Sequence, residues 1–321
     1  MSRVLVTGGA GYLGTQVVAA ELRDGSDVRA VVRTLDQEDG LRAAVRRGGA
    51  DDAGLEVVAA NLLADDGWSL AAAGCDEVHH VASPMIQSQD PDELIPPAHD
   101  GTVRVLRAAR EAGARRVVLT SSFAAVGYSP KAVRDYTEDD WTDPDTPCLA
   151  LYPRSKAVAE RAAWDFVERE GGGLELVALN PTFILGPTLT GNARSSLQLV
   201  KAMLDGTMTQ VPRQLFGVAD VRDVAELHLR AMASPDAAGK RFLVLADGPT
   251  VSFLDIANIL RDRLGDLARR VPTEQVPGDP LGELVIHNDR AKVEFGWQPR
   301  SLVDTVVETA GSLRDLDLLD N

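Results

Sequence analysis

Short apolar runs alternate with longer amphipathic segments over the first 180 residues of the chain. The runs at 3–6, 27–32, 55–60, 76–81, 116–120 and 174–179 are nearly continuous, which is typical of strands buried on both faces. The stretches 12–22, the segment that follows the proline-rich 91–97, and the segment from Lys156 to about Arg169 have the pattern of helices. This alternation predicts an α/β fold with a doubly wound parallel sheet, which binds ligands at the carboxyl ends of its strands.

The alternation becomes irregular beyond Pro181, where prolines and glycines recur at 186–187, 212, 217, 248–249, 277–278, 280 and 282. We therefore expect residues 1–180 to form the sheet domain, with a return segment near 213–247. Residues 181–321 are expected to form a smaller, mainly C-terminal α/β lobe that binds substrate.

Composition narrows the class of protein. The chain has 321 residues and a formal net charge of −15, which disfavours nucleic acid or an anionic membrane as a partner, because both require a basic surface. The two cysteines, Cys75 and Cys148, give neither a disulfide framework nor metal-ligand spacing. The chain starts directly with a strand and has no apolar run near 18 residues. We expect a cytoplasmic protein that acts on a small molecule as a monomer or homodimer.

A glycine-rich stretch lies between the first predicted strand and the first predicted helix. It reads Thr7-Gly8-Gly9-Ala10-Gly11-Tyr12-Leu13-Gly14. In such a unit Gly8 permits the tight turn, Gly11 lets the backbone approach a pyrophosphate, and Gly14 allows close packing of the helix. The sequence therefore predicts a Rossmann-type dinucleotide site, with the phosphates at the helix N-terminus.

The end of the second strand predicts which dinucleotide binds. NAD-binding proteins usually place a carboxylate there, whereas this strand ends Val31-Val32-Arg33. A guanidinium can bind a 2′-phosphate through two hydrogen bonds, so Arg33 favours NADPH over NADH. Two alternatives remain: Arg33 is a solvated strand end, or Asp36 binds a ribose hydroxyl.

One tyrosine, Tyr152, has a lysine four positions later. Positions i and i+4 lie on one face of a helix, so Tyr152 and Lys156 can address the same point. A nearby cation favours the phenolate and should lower the tyrosine pKa toward neutrality. Pro153 raises the alternative that Tyr152 caps the helix instead of lying inside it. The pair predicts proton transfer coupled to hydride transfer.

Several stretches carry a resemblance to the extended short-chain dehydrogenase/reductases, within the NAD-dependent epimerase/dehydratase superfamily. Besides the glycine loop and the Tyr152 to Lys156 stretch, the matching residues are Val78-His79-His80-Val81-Ala82-Ser83-Pro84, Arg116 to Ser122, and Asn180-Pro181 with Gly186-Pro187. The chain is most similar to the group of dihydroflavonol, cinnamoyl-CoA and aldehyde reductases. The similarity is continuous over the first two-thirds and thin after about residue 235.

The resemblance implies roles by position. Ser122 would polarise the substrate carbonyl, Tyr152 would donate the proton, and Lys156 would bind the nicotinamide ribose while lowering the tyrosine pKa. The segment after Pro181 would meet the nicotinamide carboxamide. The cofactor contacts implied in this way, together with those predicted above, are Thr7, Gly8, Gly11, Tyr12, Leu13, Gly14, Arg33, Asn61, Leu62, Val81, Ala82, Ser83, Thr120, Tyr152, Lys156, Pro181, Thr182, Phe183 and Ile184.

Other assignments stay open. Asn61 stands where the family usually has an aspartate that contacts adenine. Ser121 is an alternative to Ser122. Pro84, Met85 and Phe123 are candidate substrate-pocket residues. His79 and His80 are expected to be packed or hydrogen-bonded instead of catalytic, and Asp223 is expected to be a helix cap and charge-pair residue.

The function expected from these features is NADPH-dependent reduction of an aldehyde, ketone or acyl thioester. A nucleotide-sugar epimerase or dehydratase that holds NAD tightly is the alternative. Arg33 disfavours it, and so does Thr120-Ser121-Ser122-Phe123-Ala124, which lacks the Asp-Glu pair of a dehydratase. A non-catalytic, dinucleotide-sensing regulator is a third possibility, disfavoured by the complete serine, tyrosine and lysine set.

Overall fold

The computed structural model describes residues 3–84 and 90–320. The strands are β1 Arg3–Thr7, β2 Asp27–Val32, β3 Leu55–Ala59, β4 Glu77–His80, β5 Arg116–Thr120, β6 Asp135–Tyr136, β7 Glu175–Pro181, β8 Phe183–Leu185, β9 Leu215–Phe216, β10 Val218–Asp220, β11 Arg241–Val244, β12 Val251–Ser252 and β13 Val285–Ile286. The α-helices are α1 Tyr12–Asp24, α2 Glu38–Arg47, α3 Trp68–Ala72, α4 Pro91–Glu111, α5 Leu151–Glu170, α6 Ser196–Asp205, α7 Val221–Ala233, α8 Phe253–Leu264, α9 Asp289–Phe295 and α10 Leu302–Asp315.

Seven strands form one parallel sheet in the order β11-β7-β5-β4-β1-β2-β3. The strand order reverses after β1, so β1 and β4 flank a crevice at their carboxyl ends, as in a doubly wound Rossmann-type fold. This confirms the predicted fold class. The glycine loop that follows β1 therefore lies at the point where such sheets bind ligands.

Successive residues of a strand point to opposite faces of the sheet, and two cores result. Val4 and Val6 contribute to the core shared with α1 and α7, whereas Leu5 contributes to the core shared with α4 and α5. Both faces of the central strands are thereby covered by helices, which explains the nearly continuous apolar runs in the sequence.

A third hydrophobic core lies in the C-terminal half of the chain. Its fully buried members include Leu185, Val200, Leu260 and Leu313, from β8, α6, α8 and α10. The return from this region to the sheet consists of α7, which packs on α1, and β11, which pairs with β7 in parallel.

The structure corrects one helix boundary, excludes one alternative and divides one expectation. Helix α4 does not follow Pro91–Pro97 but begins at Pro91, because Asp90 caps it by accepting from the backbone N–H of Asp92 at 3.0 Å, and proline suits the first helical position. Tyr152 is not a cap: α5 begins at Leu151, and Pro153 falls in its first turn, where no intrahelical N–H is needed. Asp223 forms the expected charge pair, with Arg300, but it is not the cap: the side chain that caps α7 belongs to Asp220.

Within the described ranges, the helices are all too short or too polar to cross a lipid bilayer.

Candidate active site

A cavity of about 1090 Å³ extends along the carboxyl ends of the sheet strands and continues between the sheet and the C-terminal half of the chain. Its walls come from the glycine loop, the ends of β2, β4 and β5, the first turns of α5, and the segment that follows β7. Pockets at this position are where doubly wound sheets bind ligands.

Nearly all of the site residues expected from the sequence line this cavity. They are Gly8, Gly11, Tyr12, Leu13, Gly14, Arg33, Asn61, Leu62, Val81, Ala82, Ser83, Pro84, Thr120, Ser122, Phe123, Tyr152, Lys156, Pro181, Thr182, Phe183 and Ile184. Met85 lies outside the described residues.

Thr7 is the exception, because its side chain is fully buried behind the cavity wall. Its hydroxyl accepts from the backbone N–H groups of Val81 and Ala82, at 3.1 and 3.0 Å, and lies 2.9 Å from His80 Nδ1. Thr7 therefore holds the segment that follows β4 against β1, and it is a positioning residue.

The backbone of the glycine loop lies directly on the cavity, and its close packing excludes a side chain at Gly14. Gly8 has a φ of +70°, in the left-handed region, and a Cβ on Gly14 would lie 2.0 Å from the carbonyl oxygen of Gly8. Within α1, which is described in full, no acidic side chain occupies the first turn and no side chain caps the N-terminus at Gly11. The free backbone N–H groups and the helix dipole favour an anion at this point.

Arg33 follows β2 directly and is exposed on the cavity wall. Its backbone N–H donates to Gln37 Oε1 at 3.0 Å, and Gln37 also lines the cavity. Asp36 is exposed and is not part of that wall. The charged side chain on the cavity wall at the end of β2 is therefore a guanidinium and not a carboxylate.

Tyr152 lies in the first turn of α5 and Lys156 one turn later, and both face the cavity. The Ser122 hydroxyl hydrogen-bonds the Tyr152 phenol and also accepts from the backbone N–H of Ala124 at 3.1 Å. The Ser121 hydroxyl instead donates to Glu160 Oε2 in a buried network. Ser121 also lines the cavity, but its hydroxyl is engaged by Glu160, which favours Ser122 as the hydroxyl available to a substrate.

The pKa of Tyr152 was expected to be lowered, but in the structure it is raised. The phenol is 47% exposed, but that exposure is to the cavity, and the surrounding protein raises its pKa above 10 because burial disfavours the phenolate. The hydrogen bond with Ser122 acts in the opposite direction. A protonated tyrosine is the form that can give a proton to an oxygen.

Lys156 is surrounded by protein, and burial lowers its pKa from 10.5 to about 8, with the Glu160 carboxylate acting in the opposite direction. The ammonium also lies close enough to His80 to help burial lower the pKa of that imidazole to about 3. Lys156 is therefore a cation at neutral pH beside a neutral histidine.

His79 belongs to a buried chain of hydrogen bonds, in agreement with the expectation that it is not catalytic. Its Nε2 lies 2.7 Å from Glu21 Oε1, and its Nδ1 lies 3.2 Å from His228 Nδ1. His228 Nε2 in turn lies 2.8 Å from the hydroxyl of Thr120, on the cavity wall. This chain fixes the end of β5, from which Ser122 extends.

The sequence did not predict most of the outer wall, which is the part of the cavity that lies beyond Tyr152. Beyond Tyr152 the cavity is closed by side chains from four segments that are far apart in sequence, and no motif marks them: Lys131, Arg134, Gln214, Leu215, Phe216, Phe253 and Leu284.

Comparison with known proteins places this architecture in a family. The family described as "NAD dependent epimerase/dehydratase" matches residues 4–245. A cinnamoyl-CoA reductase of Medicago truncatula is 32% identical over 97% of this chain and 95% of that protein. A dihydroflavonol 4-reductase of Hordeum vulgare is 32% identical over 81% of this chain and 74% of that protein.

Among solved structures, the yeast methylglyoxal/isovaleraldehyde reductase complexed with NADPH superposes with a TM-score of 0.85 and 25% identity, covering 98% of this chain and 99% of that one. The family matches residues 4–245, and the similarity to the Medicago truncatula reductase extends over nearly the whole of both chains. The chain therefore belongs to the NAD dependent epimerase/dehydratase family.

Proposed function

We propose that the protein is an NADPH-dependent carbonyl reductase that acts on an aldehyde, ketone or acyl thioester. The observation that carries this proposal is the meeting of Ser122, Tyr152 and Lys156 on one wall of a cavity that continues to the glycine loop. The relatives named as reductases, one of them complexed with NADPH, support the same reaction class.

The residues present fit NADPH. The glycine loop and the uncapped N-terminus of α1 suit the pyrophosphate, and Arg33 suits the 2′-phosphate. Lys156 and the segment that follows β7 would hold the nicotinamide ribose and carboxamide, respectively. When bound, the cofactor supplies the hydride that reduces the carbonyl carbon.

The side chains of Tyr152, Ser122 and Lys156 would provide the proton and stabilise the charges that develop during reduction. As the new C–H bond forms, the electron pair of the C=O π bond moves to the oxygen, which takes the Tyr152 proton. The Ser122 hydroxyl donates to the same oxygen and stabilises the charge that develops there. The hydrogen bond with Ser122 offsets part of the burial that raises the Tyr152 pKa. The Lys156 ammonium would stabilise the phenolate that remains after proton transfer.

The outer wall supports a small to medium carbonyl compound as substrate. Phe123, Phe216, Phe253 and Leu284 present apolar surface, and Tyr128 and Gln214 add polar groups near Tyr152. Most of this wall comes from the C-terminal half of the chain, and we propose that residues 181–321 mainly form the substrate-binding lobe.

The test is Tyr152→Phe, which keeps the ring but removes the proton to be donated. Turnover with NADPH and the best aldehyde of a panel should fall by at least about 100-fold, the usual contribution of general acid catalysis. The affinity for NADPH, measured by fluorescence titration, should be nearly unchanged.

Tyr128→Phe is the discriminating variant, because Tyr128 also lines the cavity and its pKa is coupled to Tyr152. Near-normal turnover of Tyr152→Phe together with loss in Tyr128→Phe would assign the acid to Tyr128. Absence of NADPH oxidation across aldehydes, ketones and acyl thioesters would refute the proposed function.

A further inference from the structure

The charge of the cavity wall is opposite to that of the protein. The chain has 48 acidic and 33 basic residues, yet the cavity is lined by Arg33, Lys131, Arg134, Lys156 and Arg194. Among the described residues, neither aspartate nor glutamate lines it. This wall is therefore suited to anions over its whole length.

The cofactor accounts for only part of this positive charge. Arg33 and Lys156 are assigned to NADPH above. Arg194 precedes α6, whose Ser196 donates to the carbonyl of Ile184, so Arg194 borders the segment that meets the nicotinamide. Lys131 is neutralised by Asp140, at 2.7 Å. That leaves Arg134 without a role.

Arg134 lies at the substrate end of the cavity. Its positive charge helps to lower the pKa of the Tyr128 phenol against the effect of burial, and the Tyr152 phenol is close enough to Tyr128 to raise that pKa. Only the side chain of Tyr128 therefore lies between the Arg134 guanidinium and Tyr152, the proposed acid. Arg134 belongs to the segment that follows β5, whereas Arg33 and the glycine loop follow β2 and β1, on the other side of β4 in the sheet. We therefore assign Arg134 to the substrate and not to the cofactor phosphates.

The guanidinium of Arg134 has free hydrogen-bonding capacity. Nη1 donates to the carbonyl oxygen of Leu281 at 3.1 Å, and within residues 3–84 and 90–320 Arg134 has no carboxylate partner. A guanidinium has five N–H donors, so the others are available to a ligand. Their planar arrangement matches a carboxylate or phosphate through two parallel hydrogen bonds.

We propose that Arg134 anchors an anionic group of the substrate, and that the preferred substrates are carbonyl compounds carrying a carboxylate or phosphate. This inference rests on the proposed reductase function and names the substrate class of the same site. The reacting carbonyl lies between Ser122 and Tyr152, and the anion lies beyond Tyr128 at Arg134. The apolar wall covers the part of the substrate between them.

A matched pair of aldehydes tests the inference: 4-formylbenzoate, which is anionic, and its neutral methyl ester. The wild type should show a higher kcat/KM for the carboxylate. In Arg134→Gln the ratio of kcat/KM for the carboxylate over the ester should fall by about 10- to 100-fold, as expected for loss of a charge-assisted contact. Arg134→Glu should lower the ratio further.

Arg213→Gln is the matched control. Arg213 Nε donates to the carbonyl of Asp279, two residues from the carbonyl that Arg134 holds, but Arg213 is not on the cavity wall. Its replacement should leave the ratio unchanged. Equal kcat/KM values for the two aldehydes in the wild type, or the same fall in Arg213→Gln, would overturn the inference.

A second pair identifies the source of the anion: benzoyl-CoA and the neutral N-acetylcysteamine thioester of benzoate. An Arg134-dependent preference confined to this pair would assign the anion to the coenzyme A phosphates, and one confined to the aldehydes would assign it to a carboxylate of a small acid.

Binding separates failure of the inference from failure of the proposed function. Terephthalate should quench the fluorescence of NADPH bound to the wild type at concentrations at least about 10-fold lower than for Arg134→Gln. Reduction of the neutral ester without anion preference or terephthalate binding would refute the inference alone. Absence of reduction of every substrate would refute the reductase function, and terephthalate binding would then still decide whether Arg134 holds an anion.

Discussion

At the scale of single residues, burial sets the charge states of Lys156 and Tyr152. Burial lowers its pKa to about 8, whereas burial raises the pKa of Tyr152. In both cases the charged form is disfavoured by removal from water. In the proposed mechanism, the anionic cofactor and the developing phenolate would favour the charged form of Lys156 and so offset this effect of burial.

We therefore expect NADPH affinity to fall as pH rises through about 8, because Lys156 loses its charge there. The loss should reach about 10-fold or more, as expected for a charge-assisted hydrogen bond. Fluorescence titration of NADPH across the range that brackets this pKa measures it. Since folding lowers the pKa of Lys156, its deprotonation stabilises the folded protein, so the weaker binding between pH 8 and 10.5 cannot be attributed to unfolding by this residue.

Lys156→Arg provides the comparison, because a guanidinium stays charged over the whole range. Its NADPH affinity should vary much less with pH than that of the wild type. An equal decline in both proteins would assign the pH dependence to another group.

At the scale of elements, the first turn of α1 and the glycine loop form one packed unit. The glycines are required there because the backbones approach too closely for a Cβ, and Gly14 meets the Gly8 carbonyl across the turn. The loop and the helix N-terminus therefore move together if either is displaced. That coupling makes the phosphate site sensitive to a single methyl group.

Gly14→Ala should lower NADPH affinity by at least about 10-fold and destabilise the fold by about 1–3 kcal/mol, the usual cost of overpacking. Fluorescence titration and urea unfolding measure the two effects. Gly40→Ala is the control: it lies within α2, where no atom comes within 4 Å of the added Cβ. Gly40 is the third residue of α2, so that change should be neutral or should stabilise the protein by up to about 1 kcal/mol, because alanine has the higher helix propensity. Normal binding by Gly14→Ala would contradict the assigned phosphate site.

At the scale of the whole molecule, a buried ion pair joins the helix that carries Tyr152 to the last strand of the sheet. Arg241 Nε of β11 donates to Glu160 Oε1 of α5 at 2.6 Å, and the side chains are 8% and 1% exposed. Glu160 also accepts from Asn180 at 2.7 Å and from Ser121. The return segment of the chain thereby fixes the position of α5 against β5 and β7.

Arg241→Leu should destabilise the protein by about 3–5 kcal/mol, because it leaves the Glu160 carboxylate buried without its partner. Thermal and urea unfolding measure the change. Arg314→Leu is the control, since its pair with Asp315 is 62% and 65% exposed and should contribute less than about 1 kcal/mol. The double variant Glu160→Gln with Arg241→Leu should recover part of the loss; a larger loss would show that the two side chains do not act as a pair.

The sequence by itself determined the features that depend on local chain geometry. The parallel sheet followed from apolar runs buried on both faces, the phosphate loop from glycines placed between a strand and a helix, and the Tyr152–Lys156 pair from helical spacing. These patterns are local because a strand, a turn or one helical turn constrains residues only a few positions apart. The boundary error at α4, and the open alternative at the start of α5, arose because proline is compatible both with the residues before a helix and with its first turn.

The tertiary structure alone decided what depends on residues distant in the sequence. The raised pKa of Tyr152 reflects protein packed around the phenol, which no spacing rule contains. Thr7 supports the cavity wall because β4 lies beside β1. The two serines differ in role because Glu160, which also accepts from Asn180, engages the hydroxyl of Ser121 and not that of Ser122. Burial and charge at one point depend on every segment that reaches it. The basic lining of the cavity, and the place of Arg134 in it, therefore became visible only once the chain was folded.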